Sequence, residues 1–258
     1  MSLAGDTSGK IDIGRVIQEL FQVLGRHFVT FAILAVILVG IPYAVVNLIT
    51  GNPVTAFGSG NFWAAYTRTM AGGVIVGLLS LILQATIIYA AASDLNGRPV
   101  SVADSLRAGL YAFIPLVAIG ILTGLAVGIG FILLIVPGVM LALAWCVVVP
   151  IFVVERPNIM DVFGRSAALT RGNRWRILGL FCIFIVAILV VELVFGIVGG
   201  LTNIISLGGF PFLTRLIVLP LMQTASGLIG ATAGAVLYME LRRVREGVGP
   251  EGLAALFD

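Results

Sequence analysis

Charged residues are scarce in this chain, at 10% of 258 positions, whereas soluble domains carry about 25%. Hydrophobic residues make up 60%, and the mean hydropathy is +1.15. So few charged residues cannot cover the surface of an ordinary soluble domain. The composition therefore excludes that class of protein. It indicates a polytopic, all-α membrane protein in which most side chains face lipid or other helices.

Residues that usually carry chemistry are also few. The chain has one histidine, His27, and its two cysteines, Cys146 and Cys182, both lie inside apolar runs. These provide neither a disulfide framework nor a metal-ligand set. Phosphate-binding loops of the Walker type and catalytic triads are missing as well. We therefore expect no cofactor, no metal and no enzymatic activity.

Apolar segments long enough to cross a bilayer of about 30 Å recur along the chain. They predict a tail with an amphipathic helix at 1–27, a transmembrane domain at 28–240 and a second tail at 241–258. The predicted spans are 28–49, 70–92, 110–136, 139–154, 175–198 and 212–238. Pro137-Gly138 is the predicted turn between the third and fourth spans, and Pro150 predicts a bend in the fourth.

The basic residues are distributed very unevenly between the loops. With six spans, thirteen of the fifteen Lys and Arg residues fall on the side that holds both termini, and only Arg68 and Arg215 fall on the other. By the positive-inside rule, both termini are expected in the cytoplasm. Since the basic residues flank apolar runs, the pI of about 9.2 does not suggest nucleic acid as a partner.

Three amphipathic segments each precede an odd-numbered span. Aligned on Ile13, Val102 and Ile159, they place another apolar residue four positions on. The pattern predicts cytoplasmic elbow helices and suggests three repeated helix hairpins. A plain six-helix bundle with unrelated amphipathic helices is the alternative.

The loop before the fifth span, residues 155–177, is rich in arginine. Five of its side chains are candidates for contact with lipid headgroups: Arg165, Arg171, Arg174, Trp175 and Arg176. They could simply anchor the fifth helix at the membrane surface. Alternatively they bind phosphate groups of anionic lipids, to which arginine makes bidentate contacts.

Three polar residues lie inside predicted spans: Gln84, Glu192 and Gln223. An intramembrane carboxylate suggests proton or cation coupling, so the three could form a polar substrate path. However, Glu192 lies about 26 Å along the helix from Trp175, which puts it near the far boundary of the bilayer. Hydrogen bonding between helices is the simpler interpretation of Gln84 and Gln223.

Small residues recur every four positions on the third span, at Gly120, Gly124 and Gly128. Such a face lets two helix backbones approach closely. Packing within the chain is the simpler explanation, and a homodimer or another protein partner is the alternative.

The region from Val136 to Leu180 carries a recognisable motif. A Pro-Gly pair precedes the fourth span, a proline lies within it, an acidic residue follows it, and a Ser-x-x-Leu-Thr-Arg-Gly-x-x-Trp-Arg run leads into the fifth. The matching residues are Pro137, Gly138, Pro150, Glu155, Ser166, Leu169, Thr170, Arg171, Gly172, Trp175 and Arg176. This motif resembles the membrane domain of some bacterial glycerophosphoryl diester phosphodiesterases and of related stand-alone inner-membrane proteins.

The resemblance implies a six-helix domain in the bacterial inner membrane. It does not imply hydrolysis, because the family's catalytic unit is a soluble barrel of roughly 250 residues with carboxylate and histidine ligands. We expect a non-enzymatic scaffold or lipid-binding module in membrane lipid or envelope homeostasis. The alternative is a small transporter or lipid-translocating protein.

Overall fold

The computed structural model describes residues 10–50, 61–97, 99–205 and 214–247, and around 191–205 and 214–215 it describes only some of the side chains. These ranges contain helices and no strand, which confirms the all-α prediction for them. The helices are α1 (Ile13–Ala35), α2 (Ile41–Thr50), α3 (Phe62–Leu95), α4 (Val102–Leu133), α5 (Ile135–Ala144), α6 (Val148–Glu155), α7 (Ile159–Thr170), α8 (Arg174–Ile205) and α9 (Leu219–Glu246).

Five stretches of the described chain are long and apolar enough to cross a membrane. They are Ile13–Thr50, Phe62–Leu95, Val102–Leu133, Ile135–Glu155 and Leu216–Glu246. A sixth arises if α7 and the first part of α8, which are bent by 95°, count as one span. The helices therefore fit a multi-pass membrane protein with five or six spans.

The interior is built around α3, which packs against both α4 and α9. Close approach of α3 and α4 depends on Gly109. A Cβ atom added there would lie 2.3 Å from Thr86 Oγ1 and 2.8 Å from the Ile82 carbonyl oxygen. Any side chain at this position would push the two helices apart. Glycine therefore allows α3 and α4 to pack at this short distance.

Two prolines explain two stretches of π-helix within longer helices. The π-helical segments Val36–Gly40 and Thr214–Val218 each end two residues before a proline, Pro42 and Pro220. A proline has no N–H for the carbonyl four residues earlier, so the helical hydrogen-bond ladder shifts there. The irregularity is local, and each helix continues beyond it.

The turn between the third and fourth predicted spans differs from the prediction. The helix breaks at Leu134, whose φ of −160° and ψ of 143° are extended, and Pro137 lies within the first turn of α5. First-turn N–H groups need no helical partner, so proline is tolerated there rather than ending the helix. Gly138 still matters, since an added Cβ would lie 2.7 Å from the Phe131 ring.

The fourth predicted span is interrupted, but not at Pro150. The helix stops at Ala144 and resumes at Val148. Pro150 cannot donate to the carbonyl of Cys146, which lies inside this interruption. The break therefore falls one turn before the proline that causes it.

The three predicted elbow segments do not join their spans in the same way. The first leaves helical geometry only at His27 (φ −115°, ψ 16°), the second continues unbroken into α4, and the third is the separate helix α7. Moreover, Val16 and Leu20 of the first segment are buried inside the protein, not free to lie on lipid. The structure does not confirm a repeated elbow plan.

The glycine face of α4 is open. A Cβ added to Gly120, Gly124 or Gly128 would meet nothing within 4 Å among the described residues. The interpretation that this face packs within the chain is therefore not supported there, while Gly72, Gly109 and Gly138 take that role instead. Packing against a second copy remains the alternative for α4.

Candidate functional site

One group of charged side chains ties α6, α7 and α9 together. Arg165 donates from Nε and Nη2 to Glu155, at 3.1 and 3.0 Å, and its Nη2 also contacts Glu246. Arg242 Nε donates to the same Glu246 at 2.9 Å, and the hydroxyl of Tyr238 donates to Glu155 at 2.7 Å. We call these five residues the paired cluster.

Local structure explains how the paired cluster forms. Glu155 is the last residue of α6 and Glu246 the last of α9, so both carboxylates point from helix ends toward Arg165 in α7. Tyr238 is fully buried beside them. The guanidinium of Arg165 therefore has two carboxylate partners within the protein and is less available to a lipid phosphate.

Arg176 also has an internal partner. Its Nη1 donates to the carbonyl oxygen of Ile11 at 2.6 Å, and the Ile11 N–H donates to the side-chain oxygen of Asn173 at 3.1 Å. Asn173 is buried. This pair of bonds fastens the chain before α1 to the start of α8, which is a structural role for Arg176.

The remaining candidates lie at the corner between α7 and α8. Gly172, with φ of +86°, allows the sharp turn, and Arg171 is exposed on it. Trp175 is 82% exposed. Arg174 is half-buried, and its Nε atom is buried with no hydrogen-bond partner in the described structure. We call Arg171, Arg174 and Trp175 the corner site.

A groove of about 170 Å³ runs from the corner site along α5. Arg174 and Trp175 form one part of it, and Val139, Met140 and Leu178 form apolar walls. A guanidinium beside an apolar groove suits a ligand with a phosphate at one end and an alkyl chain at the other.

The same groove bears on the predicted depth of the corner site. Its far wall includes Ile135, the first residue of α5, and α5 has ten residues, or about 15 Å of helix. The six-span prediction places Trp175 and the turn at residues 137–138 on opposite boundaries, about 30 Å apart. In the structure, by contrast, Ile135 and Trp175 line one groove along a helix of about 15 Å, which is half of the predicted distance.

Two of the three intramembrane polar residues, Gln84 and Gln223, do not line a common cleft. Gln84 lines a cleft of about 290 Å³ between α3, α6, α8 and α9, whose other walls include Ile88, Phe184 and Leu237. Gln223 is exposed on α9 and does not line this cleft. The side chain of Glu192 lies outside the described residues.

A pocket of about 350 Å³ was not anticipated from the sequence. It is lined by Tyr89, Asp104, Arg107, Ala108, Tyr111 and Arg156. Its residues come from α3, from α4 and from the residue after α6, and these are far apart in the chain, so only the proximity of Arg156 to the end of a span could have pointed to it.

Metal ligands do not cluster in the described part of the chain, where no three His, Cys, Asp or Glu residues lie close enough to hold an ion. The chain matches no protein-family model, no curated protein and no solved structure. The resemblance to the phosphodiesterase membrane domain therefore depends on the motif residues alone.

Proposed function

We propose that this chain is a non-enzymatic protein of the bacterial inner membrane that binds anionic lipid through the corner site. It would serve as a scaffold or lipid-binding module in membrane lipid or envelope homeostasis. Both termini would lie in the cytoplasm, on the side that carries thirteen of the fifteen basic residues.

The observation that carries this proposal is the buried Nε atom of Arg174, which has no hydrogen-bond partner among the described residues. A buried donor without a partner costs about 1–3 kcal/mol, and more when it is charged. Such groups call for an explanation by a water, ion or ligand. A lipid phosphate at the mouth of the groove would accept hydrogen bonds from Arg174, while an acyl chain would lie between α5 and α8.

Trp175 supports the same interpretation. Indole rings prefer the boundary between headgroups and hydrocarbon, where one edge is wet and the other apolar. Exposed beside Arg174, Trp175 would contact the glycerol region of a lipid whose phosphate is held by the arginines. The motif shared with the phosphodiesterase membrane domain includes Arg171 and Trp175, so that family's membrane unit would carry part of the same site.

The experiment that tests the proposal compares lipid retention. Wild-type protein and the double variant Arg171→Gln/Arg174→Gln are purified in mild detergent, and bound phosphatidylglycerol is counted by native mass spectrometry. We expect the double variant to lose bound anionic lipid, because it lacks two guanidinium groups that have no carboxylate partner among the described residues. Arg68→Gln, which removes an exposed cation elsewhere, is the matched control.

Equal retention by the double variant and by wild type would contradict the lipid-binding proposal. Loss of phosphatidylcholine and phosphatidylglycerol to the same extent would indicate anchoring without headgroup selection.

Transport of a polar solute gains no support from the described residues. The cleft that contains Gln84 is otherwise apolar, and a second cleft of about 460 Å³ between α1, α8 and α9 is apolar too. These surfaces suit alkyl chains better than ions or sugars.

A further inference from the structure

We propose that the pocket around Arg156, which is separate from the corner site, binds a phosphate group. The pocket lies where the C-terminal part of α3, the first turns of α4 and the end of α6 meet. Its polar residues are Tyr89, Asp104, Arg107, Tyr111 and Arg156, and from here we call it the Arg156 pocket. Nothing in the proposed function of the corner site requires it.

The backbone of Arg156 is the first reason for this inference. Arg156 directly follows the last residue of α6 and has φ of 51° and ψ of 45°; it is the one non-glycine residue of the described chain with a positive φ. Helices usually place glycine at such a left-handed end, because a Cβ atom is crowded there. Pro157 explains why the helix ends here, but it does not explain an arginine. The side chain therefore has a use that offsets an unfavourable backbone.

The position of the guanidinium is the second reason. Its carbon lies 5.3 Å from the centre of the Tyr111 ring, a cation–π contact that holds the side chain beside the pocket. Among the described residues, no carboxylate lies within ion-pair distance of Arg156. Its N–H groups are therefore not taken up by an ion pair within the described chain and can donate to a bound acceptor, which sets Arg156 apart from Arg165.

Arg107 adds a second cation to the pocket. Its Nη1 lies 4.0 Å from Asp104 Oδ1, at the limit of an ion pair, and its side chain is 82% exposed. This loose contact leaves most of the guanidinium donors unused. Asp104 belongs to the same pocket and could accept from a hydroxyl or ammonium group that neighbours a bound phosphate.

The chemistry of these groups favours phosphate. Two guanidinium groups outnumber one carboxylate, and arginine pairs with phosphate through two parallel hydrogen bonds. The hydroxyls of Tyr89 and Tyr111 can donate as well. A volume of about 350 Å³ fits a phosphate with a small substituent. Such a group can come from a lipid headgroup or from a free phosphate ester.

The test uses the full chain in detergent and in lipid nanodiscs. Inorganic phosphate is titrated into the detergent-solubilised protein by calorimetry, and phosphatidylglycerol carried by the nanodisc-purified protein is counted by native mass spectrometry. The variants are Arg156→Gly and Arg107→Gln, with Arg68→Gln as the matched control.

We expect Arg156→Gly to weaken binding about tenfold or more in at least one arm, since a charge-assisted hydrogen bond to phosphate is lost. Its melting temperature should equal or exceed that of wild type, because glycine relieves the left-handed backbone. Arg107→Gln should weaken binding in the same arm without changing the melting temperature.

The two arms identify the source of the phosphate. Weaker binding in the calorimetric arm indicates a free phosphate ester, and weaker retention in the nanodisc arm indicates a lipid headgroup. If neither variant changes either arm, the proposal is wrong. A lower melting temperature of Arg156→Gly with unchanged binding would also overturn it, since Arg156 would then serve only to pack on Tyr111.

Arg107→Gln keeps the test decisive if Arg156→Gly fails to fold, because an exposed side chain contributes little to folding. In the background of the double variant Arg171→Gln/Arg174→Gln, which removes the corner-site arginines, Arg156→Gly should weaken binding by the same factor as in wild type. The result in this background separates failure of this pocket from failure of the corner site.

Discussion

Arg165 and Arg174 lie on either side of the same corner and differ in how the protein satisfies them. Arg165 bonds to Glu155 at 3.0 and 3.1 Å and also contacts Glu246, so its charge is neutralised inside the fold. Arg174 keeps a buried Nε atom without a partner in the described structure. The comparison shows that one arginine-rich segment contains both a structural cation and a candidate binding cation. Sequence proximity does not make them equivalent.

The largest effect is expected where the paired cluster is broken. Arg165→Gln should lower the free energy of unfolding by about 2–3 kcal/mol, because Glu155 and Glu246 would lose their shared cation. The melting temperature in detergent should fall by several degrees. Arg171→Gln, which removes an exposed arginine of the same segment, should melt like wild type. If wild type, Arg165→Gln and Arg171→Gln all melt at the same temperature, Arg165 is not the structural cation inferred here.

The next effect concerns Arg174 and depends on lipid. Wild-type protein should be stabilised by added phosphatidylglycerol, by about 1.4 kcal/mol at ten times the dissociation constant. Arg174→Met keeps the apolar stem and removes the charge, so this lipid-dependent stabilisation should disappear. Without lipid, the variant should be no less stable than wild type. A variant that still responds to phosphatidylglycerol would show that Arg174 is not a ligand.

A smaller loss is expected at the edge of the paired cluster. Tyr238→Phe removes the hydroxyl that donates to Glu155 at 2.7 Å and leaves the buried ring in place. The cost should be about 1 kcal/mol, as for a single hydrogen bond. Chemical unfolding of wild type and variant in the same detergent measures it, and lipid retention should not change. Altered retention would mean that the paired cluster and the corner site are coupled.

The smallest effect on stability is expected at Trp175. Trp175→Leu should change the free energy of unfolding by less than about 0.5 kcal/mol, since the ring is largely exposed. The fluorescence of Trp175 can also show the depth of the corner site in the bilayer. In a variant that retains Trp175 as the only tryptophan, lipids brominated near the headgroup should quench its fluorescence more than lipids brominated at the chain end. The reverse order would place the corner site deep in the bilayer.

Much of the fold could be predicted from the sequence, because membrane-spanning helices need only length and hydrophobicity. The helices Phe62–Leu95 and Leu219–Glu246 illustrate this, since each contains an apolar stretch that is visible in the sequence. The turn at Leu134 could not be placed, since Pro137 is tolerated in a first helical turn as readily as in a loop. Nor could the sequence show that Gly109, and not Gly120, lies at a close contact between helices, because the two glycines differ only in the neighbouring helix.

The candidate site was predicted only in part. The arginine-rich segment was recognised, yet the pocket that joins Arg107 and Arg156 was missed, because its residues lie on different helices. The polar path of Gln84, Glu192 and Gln223 stays a prediction: Gln223 is exposed on α9 and does not share the cleft of Gln84. Spacing along one helix is visible in a sequence, but contacts between helices are not.

The sequence by itself determined that this protein is helical and suited to a membrane, and that its cations gather at loops. Each of these properties follows from local composition. Only the tertiary structure decided which cations are satisfied. Arg165 meets carboxylates 10 and 81 positions away, whereas Arg174 meets none among the described residues, because pairing depends on which helix ends the fold brings together.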